Sequence, residues 1–428
     1  VYTRGSRRRV VRITCAVSEL AVIAVLAVVA PVGAIQAGVG EGSVELVESV
    51  PIETALDLAD IRNAGSVWCD MIRAAERTID IETFYVSGRT GKDSLDAVIG
   101  ELGDAARRGV HIRLIVDSGF YTTYPDVAAE IGELPGSEVR VLDAESLWGG
   151  VLHAKFFIVD GSWFFVGSQN WDWRALEHIR ELGVRIGDQG LAQALQAIFE
   201  MDWALATEEG ARLPGEEQGT DSALSVSGGP FVLTTDDGNE VTAVLAASPA
   251  EALPPGIAWD ESLLVQVIDA AREHVRLQLL TFNPVDREGT YHDALECALR
   301  RAAARGVHVR IVLSDWSTRS SMLPYALSLA AVPGIEVRFT TIPQWSGGFI
   351  PYARVEHAKY LVADDDACWI GTSNWNRSGF HQCRNVSLFL HGAAIATRVI
   401  EFFETGWNSR FAHEANPCKD YEAPRTGE

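Results

Sequence analysis

The chain has 428 residues, with 58 Asp and Glu against 36 Lys and Arg, a formal net charge of −22 and a pI near 4.9. A surface of that sign repels nucleic-acid backbone and anionic membrane at long range, which excludes a broad phosphate-binding footprint and confines any basic region to a local site. A hydrophobic content of 47% supplies a large core, and the length fits two or three domains of roughly 100–200 residues each, or two fused halves.

The first segment, residues 1–37, carries Arg4, Arg7, Arg8, Arg9 and Arg12 ahead of an apolar run from Leu20 to Ala30, followed by small residues. That pattern is expected of a signal peptide or an N-terminal anchor, and it places the body of the protein outside the cytoplasm. A first half is expected over 53–207. Within it, Leu95–Arg108 has helical spacing and ends at Gly109, a C-cap residue. Val110–Val116 is β-branched and alternating, a buried strand, so the order strand, helix, strand predicts a mixed or parallel sheet. His153–Val159 reads as a strand with His153 and Lys155 on one face. Asp160-Gly161 turns the chain, Trp163–Val166 returns, and Gly167-Ser168 opens a loop that presents Asn170. Leu191–Trp203 is a helix. The acidic, Pro- and Gly-containing stretch after 208 is expected to be a linker to about 237, a second half to span 238–413, and 414–428 to be a polar tail.

The two halves spell one word twice. His153, Lys155, Asp160, Gly167-Ser168 and Asn170 recur as His357, Lys359, Asp364, Gly371-Thr372 and Asn374 at identical spacing, while the filler between them differs. Gly109-Val-His-Ile-Arg matches Gly306-Val-His-Val-Arg, and Pro135-Gly-Ser-Glu-Val-Arg matches Pro333-Gly-Ile-Glu-Val-Arg. This is an internal duplication. The chain has only four lysines, and two of them, Lys155 and Lys359, sit in the repeated word. Lysine amid arginine usage points to a compact point charge rather than a planar fork. Six cysteines show no zinc-ligand spacing, and buried or bridging roles are expected for them.

Cleaving a phosphodiester requires donors for the non-bridging oxygens, a nucleophile and a proton for the leaving oxygen. Two lysines and two asparagines supply the donors. One histidine attacks phosphorus and the other acts as general acid and then base. Each half holds one His-Lys pair, so the site is expected where the halves meet about a pseudo-two-fold axis. Glu181 lies 28 residues past His153, and Asn385 lies 28 past His357. A carboxylate on an imidazole Nδ1–H holds the tautomer and supports a cation, so His153 is expected to carry Glu181 and be the nucleophile, with His357 the general acid. Asp160, Asp364, Ser168 and Thr372 are expected to shape the motif turns. No carboxylate cluster is built for a metal, so no cofactor and no obligatory metal are expected.

At these residues the chain resembles the phospholipase D superfamily, over roughly 53–413. It is most similar to the branch of endolysosomal single-stranded 5′-exonucleases, through Gly150-Val-Leu-His-Ala-Lys-Phe, Asp172-Trp-Arg-Ala-Leu, Glu181-Leu-Gly-Val, Ile350-Pro-Tyr-Ala-Arg-Val-Glu-His-Ala-Lys-Tyr and Ile370-Gly-Thr-Ser-Asn-Trp. The resemblance implies an α/β phospholipase D fold: two homologous α-β-α sandwich halves with mixed sheets, packed as a pseudo-two-fold dimer. It implies a site of His153, Lys155, Asn170, His357, Lys359 and Asn374, with Glu181 supporting a histidine. The implied substrate is a phosphodiester, either single-stranded nucleic acid or, alternatively, a phospholipid head group as in a phospholipase D or phosphatidyl transferase. A non-catalytic binding module is a third reading. Oligomeric state is not set by the sequence. Tyr121 and Tyr124, in a loop after a strand, are expected to stack on unpaired bases. Trp375 beside the second motif and Arg354, three residues before His357, are candidates for contact with substrate; packing and surface solvation are the rival readings.

Overall fold

The computed structural model describes residues 42–88, 93–206, 226–286 and 289–427. The expected leader and residues 208–225 of the expected linker lie outside them. None of the described helices is long and apolar enough to cross a membrane.

Each half builds the same order of seven strands, to which the second half adds Ala412–Glu414 beside Ile335–Thr340. In the first half the order across the sheet is Gly42–Ser49, Glu181–Gly187, Trp163–Gly167, Lys155–Val159, Thr78–Thr83, His111–Asp117 and Ser137–Leu142. The last three run parallel to one another and the rest pair antiparallel. In the second half Glu240–Ser248, Asn385–His391, Ala367–Gly371, Tyr360–Ala363, His274–Leu279, His308–Ser314 and Ile335–Thr340 repeat that order. The strand Phe231–Thr235 pairs with Gly42–Ser49 on one side and Glu240–Ser248 on the other, joining both sheets into one. Part of the expected linker is therefore a structural strand. The first half likewise starts upstream of residue 53, because Gly42–Ser49 is one of its strands. The tail is docked: Tyr421 meets the Phe339 ring edge-on and Tyr352 N–H donates to the Thr426 carbonyl.

Alternation along the motif strand explains the layers. Phe157 and Val159 face the outer helices Ala64–Ala74 and Ser94–Arg108, where Trp68, Leu95 and Leu102 are buried. Phe156 and Ile158 face the inner core, which includes Leu195 and Phe199 from the helix Gln189–Leu205 and Phe402 and Phe403 from Ala393–Trp407. Residues of both halves share this inner cluster, so the halves are fused by a common hydrophobic core. The helix Ser94–Arg108 forms where its spacing predicts. Asp93 caps it through the amides of Leu95 and Asp96, and Gly109 ends it at φ 93, a left-handed conformation that costs glycine little.

One short helix follows each motif. Trp173–Glu177 follows the first and Arg377–His381 the second. Among the described residues all five cysteines are unpaired, with Cys368 and Cys383 buried.

Candidate active site

The motif aspartates set the backbone before any chemistry. Asp160 turns at φ 53 and its carboxylate accepts from the amides of Glu76, Arg77 and Thr78. Asp364 turns at φ 49 and accepts from those of Arg272, Glu273 and His274. Each thus ties the motif hairpin to the start of the neighbouring strand, as a structural residue.

The histidines lie just before their strands, held by the opposite half. His153 N–H donates to the Arg384 carbonyl at 2.8 Å, and His357 N–H donates to the Arg180 carbonyl at 2.9 Å. The side chains of those arginines are fully buried. Arg384 forks onto Asp202 (2.6 and 2.8 Å), and Arg180 reaches Glu356 at 3.1 Å and the Phe402 carbonyl at 2.7 Å. Both ion pairs cross between halves.

The ring partners also cross, and here the sequence expectation is corrected. Glu181 does not support His153. Both of its carboxylate oxygens take the Nδ1–H of His357, at 2.8 and 2.9 Å. Nδ1 of His153 instead donates to Oδ1 of Asn385 at 3.0 Å. The amide orientation follows from its other bonds: Asn385 Nδ2 donates to the Gly379 carbonyl, and Thr372 Oγ1 donates to Oδ1. The reason for the exchange is topological. Glu181 begins a strand of the first sheet directly after Arg180, whose backbone pairs beside Glu356 and His357. Both rings therefore keep Nδ1 protonated and leave Nε2 as the nitrogen available for chemistry. Ser168 and Thr372 steady the partners: Ser168 Oγ receives the Leu182 amide, and Thr372 Oγ1 receives that of Val386.

Lys155 and Lys359 are each 1% exposed, and each Nζ donates to the carbonyl of its own motif histidine at 2.7 Å. The Oδ1 atoms of Asn170 and Asn374 are buried with no hydrogen-bond partner among the described residues. The histidines are 8% and 9% exposed.

Electrostatics report the convergence. Burial and the charges of Lys155 and Lys359 push His153 well below its ordinary range, and burial followed by the same two ammonium groups does so for His357. Burial and Lys359 push Lys155 down. Burial pushes Lys359 down to about 7, against the pull of Glu181. Burial raises Glu181 to about 8, opposed by Lys359. Groups that ordinarily carry charge are thus driven toward neutrality by crowding and desolvation, and an anion between them would reverse the penalty on all four cationic groups.

Aromatic rings run outward from His153. Phe84 meets its ring edge-on at 5.1 Å, Phe84 lies 3.9 Å from Phe120, Phe120 stacks with Tyr85 at 5.5 Å, and Tyr85 stacks with Tyr124 at 5.1 Å. Tyr85 also donates to Asp172 and receives the Asn170 amide at 3.4 Å. Tyr124 thus ends this row, whereas Tyr121 packs against the outer core. Arg354 and Trp375 are not at the site. Arg354 sits at φ 59 and spends its guanidinium on the carbonyls of Pro343 and Ile52, and Trp375 is 2% exposed in the second-half core. Sequence reading missed Asn385 as a ring partner and Tyr85 as an asparagine partner. It also passed over Arg180 and Arg384, although both stand 27 residues past their motif histidines.

Comparison with known proteins places the chain in a family. The family described as "Cardiolipin synthase, PLD-like domain" matches residues 68–203 and 264–407. The bovine (Bos taurus) protein named 5′-3′ exonuclease PLD3 is 31% identical over 416 residues, covering 88% of this chain and 81% of that protein. The mouse (Mus musculus) 5′-3′ exonuclease PLD4 is 29% identical, covering 86% and 78%. Among solved structures, phosphatidylserine synthase of Haemophilus influenzae Rd KW20 superposes with a TM-score of 0.57 at 10% identity, over 82% of this chain and 85% of that one, a likeness of fold. With one duplicated motif in each half, both halves matched and the likeness running through most of the chain, the protein belongs to the PLD-like domain family of the phospholipase D superfamily.

Proposed function

We propose that this phosphodiesterase shortens single-stranded nucleic acid from the 5′ end through a phosphohistidine formed on His357. The observation that carries the role of His357 is the Glu181 carboxylate on its Nδ1–H. A phosphorylated Nε2 with a protonated Nδ1 is cationic, and Glu181 offsets that charge where the neutral Asn385 amide beside His153 does not.

In the first step His357 Nε2 forms a bond to phosphorus while the phosphorus–oxygen bond to the departing strand breaks. His153 Nε2–H gives its proton to that oxygen. In the second step His153 takes a proton from water, the water oxygen bonds to phosphorus, and the phosphorus–nitrogen bond breaks. Lys155, Lys359, Asn170 and Asn374 bind the non-bridging oxygens, whose charge restores the ammonium form of the lysines. Tyr124, at the end of the row Phe84, Phe120, Tyr85 and Tyr124, offers a π-face to an unpaired base, while the overall negative charge disfavours a duplex laid along the surface. The names of the PLD3 and PLD4 relatives support the same polarity.

Purified protein incubated in EDTA with 5′- or 3′-labelled single-stranded oligonucleotides tests this. The expected result is stepwise loss from the 5′ end, abolished in both His153→Ala and His357→Ala. No shortening, together with head-group release from phospholipid vesicles, would move the activity to lipid.

A further inference from the structure

We propose that Glu261, His292 and His381 form a binding site for a divalent transition ion of the zinc class, set behind the second motif and separate from the reacting groups. Two imidazoles converge on one carboxylate that is itself 2% exposed. His292 Nε2 contacts Glu261 Oε1 directly, and His381 Nε2 lies 3.3 Å from Oε2. That His381 nitrogen is buried yet has no well-aligned hydrogen bond. The three ligand atoms all fall within 4.8 Å of one another. Bonds of about 2.0–2.1 Å to a tetrahedral ion separate neighbouring ligands by roughly 3.3 Å, so small rotations of the side chains close the site. Two nitrogens and one oxygen suit zinc and its neighbours and disfavour magnesium and calcium, which prefer all-oxygen shells.

Among the described residues the first half has no such trio at the equivalent places, although the corresponding helices are present. The helices Ala64–Ala74 and Asp260–Ala270 correspond, and Gly65 stands where Glu261 does. The helices Trp173–Glu177 and Arg377–His381 correspond, and Glu177 stands where His381 does. There Glu177 accepts from the amide and hydroxyl of Ser94 instead. The second half has thus exchanged a helix-capping contact for a cluster with the donor chemistry of a metal site.

Its position gives the ion a task. The Glu261 side adjoins Asp260, whose carboxylate takes the hydroxyls of Ser373 and Ser387. The His381 helix contains Gly379, whose carbonyl holds the Asn385 amide, and Asn385 in turn holds the His153 ring. An ion joining Glu261, His292 and His381 ties the start of one helix and the chain at His292 to the helix that orients Asn385. Binding exchanges imidazole and solvent protons for the metal and stabilises the fold through linkage.

The full chain, stripped with chelator and dialysed against zinc chloride alone, is measured for bound metal and thermal unfolding. One zinc per chain is expected, with Tm raised by at least about 3 °C at saturation. The double variant His292→Ala/His381→Ala should hold less than a tenth of the zinc. Glu261→Gln, an isostere able to keep contacts with both rings, should bind at least tenfold more weakly while its Tm in chelator matches wild type. Either variant retaining wild-type zinc binding, or wild type taking up none, overturns the site and leaves Glu261 as a plain hydrogen-bond acceptor for two histidines.

Discussion

Replacing Glu181 by Gln isolates the one charged contact that distinguishes the two imidazoles. The carboxylate takes the His357 Nδ1–H through both oxygens, at 2.8 and 2.9 Å, in a fully buried setting. A hydrogen bond to a charged group contributes about 1.5–3 kcal/mol. At about 1.4 kcal/mol per decade, losing it where His357 becomes cationic lowers kcat by about 10- to 150-fold. If the glutamine presents its NH2 to Nδ1, the tautomer inverts, Nε2 carries the proton and the loss approaches 10⁴, as a wrong tautomer does in a Ser-His-Asp triad. KM should hardly move, because Glu181 contacts the ring and not the substrate. Fold stability should hold too, since a carboxyl raised to about 8 is exchanged for a neutral isostere. The assay is single-turnover cleavage of a labelled oligonucleotide, with acid-labile, base-stable label on the protein as the readout for phosphohistidine. A loss under about threefold, or label carried on His153 rather than His357, would refute the assignment.

Anion binding should be coupled to protons. Lys359 is pushed down to about 7, so the affinity of His357→Asn for a short phosphodiester, measured by calorimetry, should be flat below about pH 6 and fall up to about tenfold per unit above 7; a constant affinity from about pH 5 to 9 would contradict this. Arg384→Ala strands the buried Asp202 carboxylate and should remove about 3–5 kcal/mol from unfolding in denaturant, whereas Arg384→Met with Asp202→Leu should recover most of it. Burial raises Asp260 to about 7 from an ordinary 3.8. With the folded value above the unfolded one, its contribution is fully present below about 4 and is lost as pH rises to about 7. Asp260→Asn should flatten the stability profile by up to about 1.4 kcal/mol per unit across that window, and an unchanged slope would show that Asp260 does not titrate there.

What could be read from the residues was whatever depends on short-range chemistry. Polar side chains at strict spacing marked the motif. β-Branched runs marked the central strands, and Gly109 marked a helix end because only a residue tolerant of φ 93 serves there. Pairing between halves was not legible in the same way. Glu181 is close to His153 in the chain, yet it serves His357, because docking of the two sheets and not local sequence decides which ring faces it. Arg354 resembled a free cation in sequence, but a left-handed turn at φ 59 aims it into carbonyls of its own chain. Trp375 followed an asparagine of the site and still went to the core, where its large apolar area is removed from water. The strand Phe231–Thr235 was hidden because its neighbours come from different halves, so no local repeat announces it.

The repeated arginines show why folding and chemistry share one set of contacts. Each motif histidine hangs its backbone amide on the carbonyl of an arginine in the other half, and each arginine buries its guanidinium against a carboxylate across the same boundary. A half on its own would lose these cross-half partners and expose its share of the common core to water. Duplication therefore did more than double a motif. It made each half the template that orients the other's imidazole, and it gives the two rings different partners, Glu181 and Asn385. That pair makes the rings unequal, and a two-step displacement requires one ring able to bear phosphorus and another free to carry a proton.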